Sequence, residues 1–236
     1  MLGRSVDQIR TPEHQAAAKA VAVSRGLDAL VMIGGTYTTT DAGHLAEHFA
    51  AEGVRTAVIG VPVSIDNDFP DQFVESSLGF DTATKVYSQL VGNMATDAAS
   101  ARKYTMFIRL MGRKASHITM ECAMQTRPNV VLLGEEIDHE KKTLAAIVSD
   151  LADTVAARSK QSKDFSVVLV PEGLIEYIPE LRTLIGELNA LVTAGSAASE
   201  TDMLEHLTPW SKAVLGFLPG FVRKQLLLER ESHGTI

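Results

Sequence analysis

Cysteine is almost missing from this chain of 236 residues, since Cys122 is the only one. A lone cysteine excludes a disulfide within the chain and fits a reducing cytosol, and we expect Cys122 to be a small buried residue on a helix. Long apolar runs are missing too, because none reaches the roughly 18 residues of a membrane-spanning helix. The first residues also lack the apolar stretch of a signal peptide. These absences predict a cytoplasmic protein without a membrane partner.

Positive charge is also scarce. Lysine and arginine number 22 against 29 aspartates and glutamates, which gives a formal net charge of −7. Such an acidic chain is a poor match for the phosphate backbone of DNA or RNA, so we predict no nucleic-acid partner. An anionic substrate would have to be held by a few placed cations, not by a general positive field.

What the sequence does contain is an alternation of strand and helix patterns. Short runs rich in β-branched residues predict strands over 27–33, 56–61, 105–110, 130–133 and 166–170. Amphipathic or capped segments predict helices over 12–25, 41–52, 81–100, 114–125 and 142–158. This alternation predicts an α/β fold of parallel sheets wrapped by helices. A small, polar linker over 195–200 and an apolar tail over 207–228 follow.

Two loops that follow predicted strands carry charged residues suited to catalysis. Asp66 and Asp68 come after one strand, and Arg113 follows Gly112 after another. Loops at the carboxyl ends of parallel strands are where ligands bind, so a carboxylate would face an arginine across a crevice. The carboxylate can accept a hydroxyl proton and the arginine can hold phosphate oxygens in its fork. The alternatives are an Asx-turn for the aspartates and a glycine-permitted turn with a surface arginine.

Two further loops are weaker candidates. Gly34 and Gly35 follow a predicted strand, where backbone N–H groups can approach a phosphate. This stretch lacks the lysine of a P-loop and the third glycine of a dinucleotide fingerprint. Glu172, in the turn after the last predicted strand, is either a ligand or a solvated loop acid.

Longer segments give the chain a family resemblance. It resembles the phosphofructokinase family, and within it the long pyrophosphate-dependent fructose-6-phosphate 1-phosphotransferases, most clearly over 7–11, 79–85, 107–117 and 171–176. The resemblance is nearly continuous from residue 2 to residue 228. It implies two α/β domains with the active site between them. The implied reaction, a step of glycolysis, transfers phosphate from pyrophosphate, or with less support ATP, to fructose 6-phosphate.

The resemblance also implies residue roles. Asp66 would be the catalytic base that deprotonates the 1-hydroxyl of fructose 6-phosphate. The donor phosphate loop would comprise Gly34, Gly35 and Thr36. The implied substrate-binding residues are Ser64, Ile65, Asp66, Lys103, Tyr104, Met111, Gly112, Arg113 and Glu172. Of these, Lys103 and Tyr104 would reach the active site of a neighbouring subunit, which implies a homo-oligomer or a hetero-oligomer with a catalytic subunit.

The donor side departs from the family pattern. Active pyrophosphate enzymes carry two aspartates after the glycine pair, one of them a Mg²⁺ ligand, where this chain has Thr36 and Tyr37. A lysine of the family is replaced by Val63. Mg²⁺ is therefore expected from the family, but the usual ligand is replaced by a hydroxyl, which is a poor substitute for a carboxylate. In these losses the chain resembles a catalytically silent regulatory α subunit, which binds sugar phosphate and pairs with a catalytic subunit. That subunit type, however, usually has asparagine where this chain keeps Asp66.

The resemblance also predicts the organisation of the chain. Residues 1–104 would form a donor-side part, 105–194 a sugar-phosphate-side part, and 195–236 a helical tail. The chain matches the middle of a full-length family member, so the N- and C-terminal parts of the family fold are expected to be absent from it. We expect such a chain to expose sheet edges.

Overall fold

The computed structural model describes residues 8–68, 72–193 and 204–228. The chain divides into two compact units, the first ending at Ala83 and the second beginning at Thr84. The predicted division at residue 104 concerned functional roles and stays a prediction. The predicted linker over 195–200 lies outside the described residues.

The first unit is a small parallel sheet with helices on one face. It contains helix α1 (Pro12–Ser24), strand β1 (Ala29–Gly34), helix α2 (Thr36–Ala51) and strand β2 (Ala57–Pro62). The two strands pair in parallel, from Ala29 opposite Ala57 to Gly34 opposite Pro62. Helix α1 begins as predicted, because the Thr11 hydroxyl accepts a hydrogen bond from the backbone N–H of His14 at 3.2 Å.

Among the residues that the structure describes, one face of this small sheet is covered by helices. Leu45 and Phe49 of α2 are buried and pack against Leu30 and Met32 of β1 and against Val58 of β2. Since side chains alternate along a strand, the residues between these point to the other face. There Val31, Ile33 and Ile59 are each at least half exposed.

Helix α2 begins at Thr36, so the prediction that it begins at residue 41 was wrong. The preceding Gly35 is extended and caps the helix, and the Thr39 and Thr40 hydroxyls donate to the carbonyl oxygens of Gly35 and Thr36. These bonds satisfy the threonine hydroxyls within the helix, although threonine has only modest helix propensity. Asp41 is instead buried inside the helix, where its carboxylate accepts bonds from the segment before α1.

The second unit is built on a larger parallel sheet. Helix α3 (Phe80–Ala101) begins in the first unit and continues into the second. The following elements are β3 (Thr105–Leu110), α4 (His117–Thr126), β4 (Val130–Val131), α5 (Gly134–Glu140), α6 (Leu144–Ser159), β5 (Ser166–Pro171), α7 (Leu174–Tyr177), α8 (Pro179–Thr193), α9 (Pro209–Phe217) and α10 (Gly220–Leu228). The strand order is β3-β5-β4, all parallel. The predicted class of parallel sheets wrapped by helices is confirmed.

Strand β5 is the centre of the second unit. Val167, Val168 and Leu169 are buried, as expected for the central strand of a parallel sheet.

The predicted burial of Cys122 on a helix is confirmed, since it is inaccessible on α4. Three helices, α5, α7 and α8, were not predicted, and the strand predicted over 130–133 has two residues.

No helix in the part of the chain that the structure describes is both long and apolar enough to cross a bilayer.

Candidate active site

The loops that follow β1 and β2 lie side by side in the first unit. The backbone N–H of Val63 donates to the carbonyl oxygen of Gly34 at 2.9 Å. A Cβ atom on Gly35 would lie 3.8 Å from the Val63 carbonyl oxygen. Because parallel strands end at the same edge of a sheet, the glycine pair is thus brought next to the chain that enters the aspartate loop.

The aspartate loop is shaped by serine and asparagine side chains. Ser64 Oγ accepts from the backbone N–H of Asp66 at 3.1 Å, and the Ser64 N–H donates to Ser77 Oγ. Asn67 has a φ of 53°, a left-handed conformation that asparagine tolerates, and its Oδ1 accepts from the Ser77 N–H at 2.8 Å. These bonds hold the loop without using the Asp66 carboxylate.

Asp66 and Asp68 are half-buried on this loop. The Oδ1 atom of each is shielded from solvent. Ile65 lies against Gly79, whose φ is +104° and whose absent Cβ would be 3.5 Å from the Ile65 side chain. A half-buried carboxylate on a loop braced in this way is suited to accept a proton from a bound hydroxyl.

The start of α2 forms the candidate donor phosphate loop. Gly35 is the helix cap and Thr36 the first helical residue, so backbone N–H groups and the positive end of the helix dipole are presented here. The Arg10 guanidinium lies 5.4 Å from the centre of the Tyr37 ring, a cation–π contact. Thr36 and Tyr37 offer neutral oxygens, so this donor set does not fit a Mg²⁺ ion held by protein carboxylates.

In the second unit, the turn after β3 and the turn after β5 are packed tightly together. The backbone N–H of Glu172 donates to the Leu110 carbonyl oxygen at 2.9 Å, and that of Gly173 to the Gly112 carbonyl oxygen at 3.3 Å. Gly112 has a φ of 120°, which favours glycine. A Cβ atom on Gly173 would lie 1.8 Å from the Arg113 carbonyl oxygen, so this contact needs glycine.

The side chain of Arg113 is oriented by an ion pair that the sequence did not predict. Its Nε donates to Glu176 Oε1 at 2.9 Å, and the two side chains are 33% and 42% exposed. Glu176 is in α7, directly after the turn that contains Glu172. The structure therefore brings Met111, Gly112 and Arg113 together with Glu172, and adds Glu176 as the group that positions the guanidinium.

A hydrogen-bond network supports the chain that follows Arg113. The Tyr177 hydroxyl donates to the Lys114 carbonyl oxygen at 2.6 Å. The Ser116 N–H donates to Glu135 Oε1, and the Gly134 N–H donates to Ser116 Oγ, both at 2.9 Å. Burial, and then the charges of Glu135 and Glu176, raise the pKa of Tyr177. These bonds fix the loop between β3 and α4.

Glu135 is ionised more readily than an isolated glutamate. Burial opposes its charge, but hydrogen bonds from Ser116 and from its own backbone outweigh that effect and lower its pKa. The charged form is therefore the one that braces the loop after Arg113.

Lys103 and Tyr104 are not brought to the Arg113 turn. They are exposed residues before β3, with the Lys103 ammonium 5.4 Å from the Tyr104 ring centre. Met111 follows the other end of this strand, and a strand of this length separates its ends by roughly 20 Å. Their predicted role in a neighbouring subunit stays a prediction.

The candidate residues therefore form two sets, each described within its own unit. Gly34, Gly35, Thr36 and the loop of Ser64, Ile65 and Asp66 belong to the first unit. The turns of Arg113 and Glu172 belong to the second. Sequence reasoning missed Ser77, Asn67 and Glu176. Glu176 lies in a segment that carried the family resemblance, which was the one available signal for it.

Comparison with known proteins gives a consistent result. The family model described as phosphofructokinase matches residues 2–208. Pyrophosphate–fructose 6-phosphate 1-phosphotransferase subunit alpha of Solanum tuberosum is 51% identical over 232 residues, which cover 98% of this chain and 37% of that protein. Pyrophosphate–fructose 6-phosphate 1-phosphotransferase of Treponema pallidum is 46% identical, covering 100% of this chain and 43% of that protein. This chain thus spans about two fifths of the length of these relatives.

Solved structures support the fold. A pyrophosphate-dependent phosphofructokinase from Marinobacter aquaeolei superposes with a TM-score of 0.59 at 19% identity, covering 89% of this chain and 57% of that one. Phosphofructokinase from Saccharomyces cerevisiae gives a TM-score of 0.56 at 20% identity, covering 75% of this chain and 27% of that one. At these identities the likeness concerns the fold alone.

Proposed function

This chain belongs to the phosphofructokinase family, as its resemblance predicted, and we propose that it is part of an enzyme that transfers phosphate from pyrophosphate to fructose 6-phosphate. The observation that carries this proposal is the half-buried Asp66, held on a braced loop at the carboxyl end of β2. The products are fructose 1,6-bisphosphate and phosphate. The lone cysteine fits a place for this glycolytic step in the cytoplasm.

Asp66 acts as the base in the proposed reaction. Its carboxylate accepts the proton of the 1-hydroxyl as that oxygen bonds to the terminal phosphorus of pyrophosphate and the bond to the leaving phosphate breaks. Ser64 and Ile65 contact the sugar from the same loop. In the second unit, Arg113 holds the sugar phosphate through its fork, beside Met111 and Gly112, while the Glu172 carboxylate accepts a hydrogen bond from a sugar hydroxyl.

The donor phosphates bind at the start of α2 in this proposal. The backbone N–H groups after Gly34 and Gly35 and the helix dipole stabilise their negative charge. Magnesium is implied by the family, but Thr36 does not supply the usual carboxylate, and we assign the ion no step. Pyrophosphate is preferred to ATP as donor because the similar proteins from Solanum and Treponema are named for it.

A second candidate is a regulatory α-type subunit that binds sugar phosphate and pairs with a catalytic subunit. The observation in its favour is that three plant alpha subunits are 49–51% identical to this chain, whereas the plant beta subunits are 43–44% identical. Thr36, Tyr37 and Val63 on the donor side agree with it. In either case we propose that Lys103 and Tyr104 contribute to a homo- or hetero-oligomer.

A coupled assay for fructose 1,6-bisphosphate tests the proposal. The full-length protein is supplied with Mg²⁺, fructose 6-phosphate and either pyrophosphate or ATP, and the donor that supports turnover is identified. We expect Asp66→Asn to lower kcat by about 10²- to 10⁴-fold, the usual contribution of a general base. Asp153→Asn, an exposed change on α6, is the control and should leave kcat unchanged.

The outcomes separate the two candidates. Turnover that survives Asp66→Asn contradicts the assigned base. No turnover with either donor, together with a rise in melting temperature on adding fructose 6-phosphate, supports the regulatory subunit instead. If the protein shows no turnover and is not stabilised by the sugar phosphate, both candidates are overturned.

A further inference from the structure

The proposed donor site has Val63 where the family resemblance implies a lysine. An acidic protein needs placed cations to hold a diphosphate, because its general field repels anions. In the described residues of the first unit, the lysines and arginines are Arg10, Lys19, Arg25 and Arg55. Their positions decide which of them can contact the donor phosphates.

Three of these cations lie far from the glycine pair that precedes α2. Arg25 caps the end of α1 before β1, and Arg55 lies just before β2, so both are at the amino ends of the strands. A strand of this length separates its ends by roughly 20 Å. Lys19 pairs with Glu52, which follows the last residue of α2, at the end of that helix opposite the glycine pair.

Arg10 lies beside the start of α2. Its Nε donates to Asp41 Oδ1 at 3.0 Å, and its guanidinium carbon is 5.4 Å from the centre of the Tyr37 ring. Tyr37 and Asp41 are four positions apart, so they share one face of the helix. Since Tyr37 is the second residue of α2, the guanidinium lies along the first turn, at the positive end of the helix dipole.

The Asp41 carboxylate fixes the orientation of this guanidinium. Its side chain is 4% exposed, and its second oxygen accepts a hydrogen bond from the backbone N–H of Ile9 at 3.1 Å. Because Asp41 engages Nε, the two Nη groups of Arg10 remain, and the described residues supply no acceptor for them. The Arg10 side chain is 41% exposed, so a dissolved anion can reach it.

The same arrangement occurs in the second unit. There Glu176 accepts from the Nε of Arg113 at 2.9 Å. In both pairs a carboxylate holds the inner nitrogen of an arginine and leaves the outer fork, which matches the oxygens of a phosphate group.

We propose that Arg10 is a donor-binding residue, whose two Nη groups donate to the diphosphate while Asp41 positions the guanidinium. This inference rests on the proposed function, because the donor site is the one assigned there to the start of α2. Arg10 would supply the positive charge that Val63 does not. Contact with the Tyr37 ring further limits the movement of the guanidinium.

Binding of methylenediphosphonate, a diphosphate analogue that cannot transfer its phosphoryl group, tests the proposal without turnover. Titration calorimetry is carried out on the full-length protein with Mg²⁺, and fructose 6-phosphate is titrated separately. We expect Arg10→Gln to raise the Kd for the diphosphonate about tenfold, as for a lost charge-assisted hydrogen bond. The Kd for fructose 6-phosphate should not change.

Two further variants make the result specific. Arg55→Gln removes the same charge from the same unit and also breaks a pair with an aspartate, Asp28 at 3.1 Å, but should leave both affinities unchanged. Arg10→Lys keeps the charge and can still pair with Asp41, so its melting temperature should stay near that of the wild type. It should still weaken diphosphonate binding about threefold, because an ammonium cannot form the fork.

The outcomes distinguish this inference from the proposed function. Equal diphosphonate affinity of the wild type and both Arg10 variants would overturn the role of Arg10 and leave the proposed reaction intact. An equal loss in Arg55→Gln, or an equal loss of fructose 6-phosphate affinity in Arg10→Gln, would also overturn it, since net charge or folding would then be the cause. Binding that depends on Arg10 without any turnover would overturn the proposed reaction alone. No diphosphonate binding by the wild type would overturn both.

Discussion

At the scale of single residues, the orientation of Arg113 is the feature that most directly affects the proposed chemistry. A guanidinium recognises phosphate through a flat fork, so its plane must be set correctly before the substrate arrives. Glu176 sets that plane by accepting from Nε at 2.9 Å. In the proposed reaction Glu176 would therefore act through Arg113, as a positioning residue.

We predict that Glu176→Gln raises the KM for fructose 6-phosphate about 3- to 10-fold in the full-length protein with little change in kcat, the pattern of lost ground-state binding. The pair is partly exposed, so stability should fall by less than about 1 kcal/mol. Steady-state kinetics and the stabilisation by fructose 6-phosphate measure these effects. Glu140→Gln breaks a comparably exposed pair with Lys142 and should leave KM unchanged. A loss of kcat at constant KM would contradict the positioning role.

A second residue-scale prediction concerns the contact between the two turns of the second unit. Gly173→Ala would place a methyl group against the Arg113 carbonyl oxygen, a backbone atom that cannot move aside cheaply. We expect it to destabilise the protein by about 1–3 kcal/mol, the usual cost of overpacking. Gly186→Ala on α8 is the matched control, because its new methyl group meets nothing within 4 Å, and it should stabilise by up to about 1 kcal/mol. Denaturant unfolding measures both, and equal effects would contradict the close packing.

The same residues show how far the sequence could predict the site. Asp66 and Arg113 could be proposed from the sequence because each follows an apolar strand, a local pattern. Glu176 was not found, because its partner lies 63 positions away and only the parallel pairing of β3 with β5 brings them together. Ser77 was missed for a similar reason, since it braces Ser64 from outside the loop.

At the scale of elements, the strands were predicted better than the short helices. Strand β3 was placed at its observed bounds because β-branched and aromatic residues mark it. Helix α7 has four residues and α5 seven, too few to show a helical period. Helix α8 does carry that period in Leu181, Leu184 and Leu188, all buried, so this omission was avoidable.

Glu135, in helix α5, predicts how the stability of the protein depends on pH. Its pKa is lowered in the folded protein, so the charged form stabilises the fold at neutral pH. That contribution is lost as the pH falls through the lowered pKa. Glu135→Gln should therefore reduce stability at neutral pH by about 1 kcal/mol, the net worth of such hydrogen bonds at a partly exposed site.

Denaturant unfolding of both proteins across the acid range checks this prediction. The difference between wild type and Glu135→Gln should shrink as the pH falls and vanish in strong acid. Glu136→Gln, which removes the same charge from the exposed neighbouring residue, is the matched control. A difference that persists in strong acid would show that the effect of Glu135 is steric, not ionic.

At the scale of the whole molecule, each unit has its own sheet, but the two sheets are covered to different extents. The central strand of the second unit is buried, whereas in the described part of the chain the β1–β2 sheet has helices on one face and exposed apolar side chains on the other. Exposed apolar side chains on a sheet favour association between molecules. In the described residues Val31, Ile33 and Ile59 form such an exposed apolar face.

This asymmetry predicts opposite results for the two faces of the β1–β2 sheet. The double variant Ile33→Thr with Ile59→Thr should keep the free energy of unfolding within about 0.5 kcal/mol per substitution, because these side chains are 58% and 50% exposed and threonine suits a strand. Light scattering at raised concentration should fall. Met32→Thr, on the packed face against Leu45 and Phe49, should instead cost about 1–3 kcal/mol. If the double variant is as destabilised as Met32→Thr, the Ile33 face is covered in solution, because only buried methyl groups contribute that much to stability.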